Sequence, residues 1–134
     1  MSLSIASRLD RNVHVLTVTG NLTLGPKLKS LQQAARAAME PNAPEALIID
    51  VSGIRYADSA GLGELTVVYS ICARKDCVVA LTGVPNQLRQ MLDLTRLDEL
   101  LPAAADLEAA RRLAKSRGEA AKSQKLRARS MESC

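Results

Sequence analysis

The residues best suited to chemistry lie in YADSAGLGEL, Tyr56 to Leu65, where a serine follows an aspartate and two glycines bracket a leucine. A hydrolase nucleophile elbow takes glycine two residues before and two after its serine. Around Ser59, Gly61 satisfies the second position and Ala57 fails the first. The base is wanting too, because the single histidine, His14, falls inside a strand pattern near the start of the chain. Ser-His-Asp hydrolysis is therefore set aside. Cys72, Cys77 and Cys134 lack the paired spacing of a structural zinc site, and Cys72 and Cys77 read as buried apolar thiols. G-x-G in SAGLGE has neither the third glycine nor the lysine of a phosphate-binding loop. Asp50 and Asp58 flank the preceding connection and suit a turn and a helix cap better than a cation site.

Ser59 or Asp58 satisfies the open N–H groups of a first helical turn, which gives Ser59 a local structural role. Gly61 and Gly63 do not fit that role alone. Each costs up to about 1 kcal/mol of helix propensity relative to alanine, and each leaves backbone open to close approach by another molecule. An exposed hydroxyl at a helix start, ringed by small residues, is a docking platform and an accessible phosphorylation site.

The elements that must position this turn follow from periodicity. SIASRLD and VHVLTVTG alternate apolar and polar residues about Asp10-Arg11-Asn12 and read as a β-hairpin ending at Gly20. NLTLG is a loop, and Pro26 suits the first position of a helix. Leu28, Leu31, Ala35, Ala38 and Met39 carry that helix to about Glu40. ALIIDV is a strand buried on both faces, SGIRYA connects it onward, and Ser59 to Arg74 is helical. CVVALTG is a second buried strand, followed by a helix from Pro85 to about Thr95. LDELLP suggests a short edge strand, and Asp106 to Ser116 a last helix through Leu107, Ala110 and Leu113. The order ββαβαβα(β)α predicts an α/β fold, with the two buried strands parallel.

Composition narrows the function classes. The 134 residues suit one domain. Tyr56 and Tyr69 are the only aromatics, so stacking on single-stranded nucleic acid is disfavoured. No apolar run is long enough to cross a membrane, the opening lacks the pattern of a signal peptide, and unpaired cysteines suit a reduced, cytoplasmic setting. From Arg111 onward eight Lys/Arg face two acids, whereas residues 1–110 hold ten against twelve. The expectation is a domain over residues 1–117 and a basic tail over 118–134, disordered or a frayed continuation of the last helix.

YADSAGLGEL, with the upstream VTGNLTLG and the downstream VALTGVPNQLRQMLDLTRLDELLP, resembles the STAS domains of bacterial anti-sigma-factor antagonists. The resemblance runs from about residue 3 to 115. It implies a mixed β-sheet of four to five strands flanked by about four helices, with Ser59 as a phosphorylated serine. It implies a docking surface made of Gly20, Asn21, Leu22 and Thr23 together with Asp58, Ala60, Gly61, Leu62 and Gly63. The partners implied are an anti-sigma factor with serine kinase activity and a PP2C-type phosphatase. No catalysis and no cofactor belong to the chain on this reading. The alternative keeps the fold as an accessory or scaffold subunit of a membrane transporter or signalling complex.

Overall fold

The computed structural model describes the backbone of residues 3–132 and the side chains of residues 3–120. Its elements run β1 (Ser4–Asp10), β2 (Val13–Leu22), α1 (Ser30–Ala38), β3 (Ala46–Ala57), α2 (Ser59–Ala73), β4 (Val78–Thr82), α3 (Asn86–Thr95), β5 (Ala103–Ala104) and α4 (Leu107–Glu132). The strands form one sheet in the order β1-β2-β3-β4-β5, with β1 antiparallel to β2 and every later pair parallel. The expected α/β architecture and mixed sheet are thus present.

Chain order equals sheet order, and this decides where the helices lie. Parallel crossovers of one hand that always step in one direction place their helices on one face. Accordingly α1, α2 and α3 share a core with alternate strand residues: Leu31, Leu65 and Leu88 pack with Leu16, Val18, Leu47, Ile49, Val79 and Leu81. The intervening residues Val13, Val15, Ala46, Ile48 and Ala80 point to the other face, where Ala110 and Ala114 of α4 cover them. Small side chains let α4 lie close to the sheet. Arg111 then clasps the β1–β2 turn, its guanidinium 2.6 Å from Asp10 Oδ2 and its side chain only 15% exposed.

Five boundaries differ from expectation. Pro26 does not open α1; it heads a tight turn with i to i+3 bonds, Leu28 N–H to Gly25 O and Ser30 N–H to Lys27 O, and the helix starts four residues later. β2 does not end at Gly20: that residue adopts φ 104°, and the strand continues irregularly to Leu22. For the same reason SGIRYA is strand rather than connection, since Asn21 and Leu22 pair with Tyr56 and Ala57. LDELLP is turn, and the edge strand is Ala103–Ala104 just beyond it, where Leu81 N–H donates to Pro102 O. Finally, α4 continues past Ser116 to Glu132, so the basic segment is helical that far; its side chains beyond residue 120 lie outside those described.

Candidate docking site around Ser59

Asp58, in extended conformation, is the N-cap of α2. Its Oδ1 accepts from Gly61 N–H at 2.9 Å and its Oδ2 from Leu24 N–H at 3.0 Å. The Asp58 N–H in turn donates to Leu22 O at 3.2 Å. One residue therefore ties the end of β2 to the start of α2, bringing together the two stretches expected to form a surface. Gln87 of α3 adds the third element: its side chain accepts from Ala57 N–H at 3.0 Å and donates to Ala57 O at 2.8 Å. Neither Leu24 nor Gln87 was foreseen. Their contacts are side chain to backbone across 34 and 30 residues, and periodicity carries no sign of such links.

With capping done by Asp58, Ser59 is the first residue of α2 and exposed. Among the described residues none hydrogen-bonds its hydroxyl. Leu24, 79% exposed, and Tyr56, 53% exposed, lie on the segments that lead into this turn. Ala60, Asn21 and Thr23 are half-buried, and Gly63 is exposed.

Several residues expected at the surface are internal. Gly20, Leu22, Gly61 and Leu62 are buried, and the Asp58 carboxylate is engaged within the chain. Gly61 has a reason that is wholly intramolecular. A Cβ there would lie 1.9 Å from Leu22 O, so glycine is what lets α2 pass against the end of β2. At Gly63 an added Cβ would meet nothing within 4 Å. The two glycines, alike in the sequence, do different work.

The backbone donors of Leu24 and then Gly61 hold the Asp58 carboxyl below the usual aspartate range. A depressed folded value means this stabilisation is complete above the ordinary aspartate pKa and is lost as pH falls through the lower folded one. Asp58→Asn is expected to lower Tm at pH 7 and to flatten the decline of Tm between pH 5 and about 3. An unchanged acid limb in a thermal-melt series would show that the carboxylate charge does not hold this joint.

Glu64 on α2 was not foreseen either. It is only 8% exposed, and its Oε1 is buried with no hydrogen-bond partner among the described residues. A buried acceptor left unpaired costs about 1–3 kcal/mol. Glu64→Met, similar in length and apolar, is expected to raise Tm by roughly 3–8 °C. A lower Tm in calorimetry would mean that the carboxylate stabilises the fold.

The other chemical groups fall into place as follows. Asp50 Oδ1 accepts from Ser52 N–H and Ser52 Oγ–H, a turn role. A side-chain hydrogen bond with Cys77, together with burial, pushes the Cys72 thiol far up, so Cys72 is no ready nucleophile, and Cys77 is buried with its Sγ–H donating to Val78 O. Among the described residues no His, Cys, Asp and Glu group is arranged to hold a metal ion; Cys134 lies outside them. Ser7 Oγ does meet His14 Nε2 across β1 and β2, a contact not expected from sequence. Partial burial lowers the His14 pKa, and no carboxylate among the described residues pairs with the ring. No described helix is long and apolar enough to cross a membrane.

The exposed serine thus stands at the start of a helix, beside a capping aspartate and braced by two further elements, on a small α/β domain. The family profile described as "Mlab, STAS domain" matches residues 5–102. The chain belongs to the STAS domain family. Solved structures agree in fold. An anti-sigma factor antagonist from Mycobacterium paratuberculosis is 24% identical with TM-score 0.72, over 85% of this chain and 95% of that one. A sulfate transporter family protein from Wolinella succinogenes is 19% identical with TM-score 0.67, over 81% and 88%. The anti-sigma factor antagonist SpoIIAA in its unphosphorylated form is 14% identical with TM-score 0.61, over 87% and 99%.

Proposed function

We propose that the chain is an anti-sigma-factor antagonist. Its unmodified Ser59 face binds an anti-sigma factor that is also a serine kinase, and so releases the sigma factor. Phosphorylation of Ser59 breaks that complex, and a PP2C-type phosphatase restores it. The chain is the docking component, in the cytoplasm; the kinase consumes the ATP. The observation that carries this reading is the Ser59 hydroxyl, exposed and without a hydrogen bond among the described residues, the capping being done by Asp58. It supports a modification that adds charge at the surface while leaving the fold intact. Two similar structures are of anti-sigma factor antagonists, one of them in an unphosphorylated form.

A second reading is favoured by the similarity to a sulfate transporter family protein. Here the chain is a permanently docked accessory or scaffold subunit, and Ser59 is never modified. Intact-mass and peptide-mapping mass spectrometry on protein from growing and stressed cells separates the two. A single phosphate on Ser59 whose occupancy changes with conditions is the expected result. Unmodified Ser59 in every condition, with a stable membrane-associated partner, would replace the first reading with the second.

A further inference from the structure

The exposed row that starts at Ser59 continues along α2 through Gly63, Val67 and Ser70 to Arg74, at the three- and four-residue spacing of a single helix face. At its far end the last turns of α1 and α2 part to leave an open groove of about 500 Å³. Met39, Val67 and Ile71 supply its apolar lining, and Arg36, Arg74 and Lys75 its cations, with Glu40 the one acid among the lining residues. None of the three cations forms an ion pair among the described residues.

Cations at helix C-termini have an ordinary internal reason, since they offset the negative end of the helix dipole. That reason does not extend to Val67. It is a β-branched residue, disfavoured on a helix surface, and it stands 37% exposed beside the partly buried Ile71. An apolar floor rimmed by positive charge matches one kind of occupant well. Arginine forks bind carboxylates in bidentate fashion, and an amphipathic helix buries its apolar stripe in a groove. Nucleic acid fits less well, because no aromatic ring lines the groove for stacking and three cations make a short phosphate track. A lipid surface is flat and would bridge a concave groove rather than enter it.

We propose that the α1–α2 groove is a second docking site, for an acidic amphipathic helix of a protein partner. Along α2 it runs from Val67, eight residues or about 12 Å from Ser59, to Arg74, fifteen residues or about 22 Å away. The rim charge at Arg74 thus lies more than two Debye lengths of about 8 Å from Ser59 at physiological salt, so its attraction for an acidic partner is largely screened from the charge on Ser59.

The probe is a fluorescein-labelled synthetic helix of about 18 residues, five turns, with leucines on one face and glutamates and alanines on the other. Fluorescence anisotropy is read with the full chain. Saturable binding is expected, tighter than for a scrambled peptide of equal composition. Replacing both rim arginines, Arg36→Glu with Arg74→Glu, is expected to weaken it by at least about tenfold. Arg112→Glu, an exposed position on α4 across the sheet, serves as the single-charge control and leaves it unchanged. Equal binding of the scrambled peptide, or wild-type binding by the double variant, would overturn the proposal. So would tighter competition at these residues by duplex DNA or by phosphatidylserine-containing vesicles, which would assign the groove to that ligand instead. The assay contains no kinase, so its outcome bears on the groove and leaves the Ser59 reading to its own test.

Discussion

A phosphate on Ser59 is expected to weaken binding of the proposed kinase anti-sigma factor by about thirty-fold to several thousand-fold while leaving the fold intact. The group brings a charge of about −1.5 to −2. Left unpaired in an interface, a charge costs roughly 2–5 kcal/mol, and each 1.4 kcal/mol is tenfold in affinity. Within the free chain the same charge meets a helix N-terminus, worth typically about 0.3–1 kcal/mol, against repulsion from the ionised Asp58 beside it. The two opposing terms leave stability near its starting value because Ser59 is exposed and makes no hydrogen bond to be broken among the described residues. Ser59→Asp carries half or more of that charge and is expected to give a partial loss; Ser59→Ala holds the binding form. Titration calorimetry against the kinase, paired with a thermal melt of each variant, reads both sides. Wild-type binding by both variants would end the switch proposal. A loss of binding by Ser59→Asp that came with a large fall in Tm would reassign the effect to unfolding.

The layout of the fold was legible wherever one residue type repeats at one spacing. ALIIDV and CVVALTG are nearly unbroken apolar runs because α4 covers the sheet face that the other three helices leave. Leu88 and Leu92 mark α3 for the corresponding reason on the other face. The misread boundaries are those decided by partners distant in sequence. SGIRYA becomes strand only because β2 runs on through Asn21 and Leu22 to pair with it. Pro26 signals a start, but a turn with i to i+3 bonds and a helix open with the same residue types. At the site, the turn and its serine were visible, and so was the aspartate as a possible cap. The Asp58–Leu24 and Gln87–Ala57 bonds were not, because each joins a side chain to backbone in another element. Glu64 illustrates the limit in another way. Hydrophobic periodicity treats a carboxylate as solvent-facing, and here it lies on a buried helical face.

The two glycines of α2 are expected to respond to alanine with opposite signs. In Gly61→Ala the new methyl carbon would lie 1.9 Å from Leu22 O and 2.8 Å from both the Leu22 carbonyl carbon and Cγ. The obstacle is mainly backbone, and it is fixed in place by the Asp58 N–H bond to the same carbonyl. Neither rotamer change nor local repacking relieves it, so β2 and α2 must separate and the Leu24 and Gly61 bonds to Asp58 go with them. About 3 kcal/mol or more is expected to be lost, a large part of the 5–15 kcal/mol that a domain typically has, with a fall in Tm of roughly 10 °C. Gly63→Ala meets nothing within 4 Å and sits in a helix interior, where alanine gains up to about 1 kcal/mol. Folding therefore supplies no reason for glycine there. On the proposed docking face that reason is the partner, whose backbone approaches where a methyl group would stand. Gly63→Ala should then raise Tm slightly and weaken kinase binding, whereas Gly61→Ala should damage both. Full binding by a stabilised Gly63→Ala chain would move the partner's footprint off the first turns of α2, and with it the argument that Ser59 lies inside the interface.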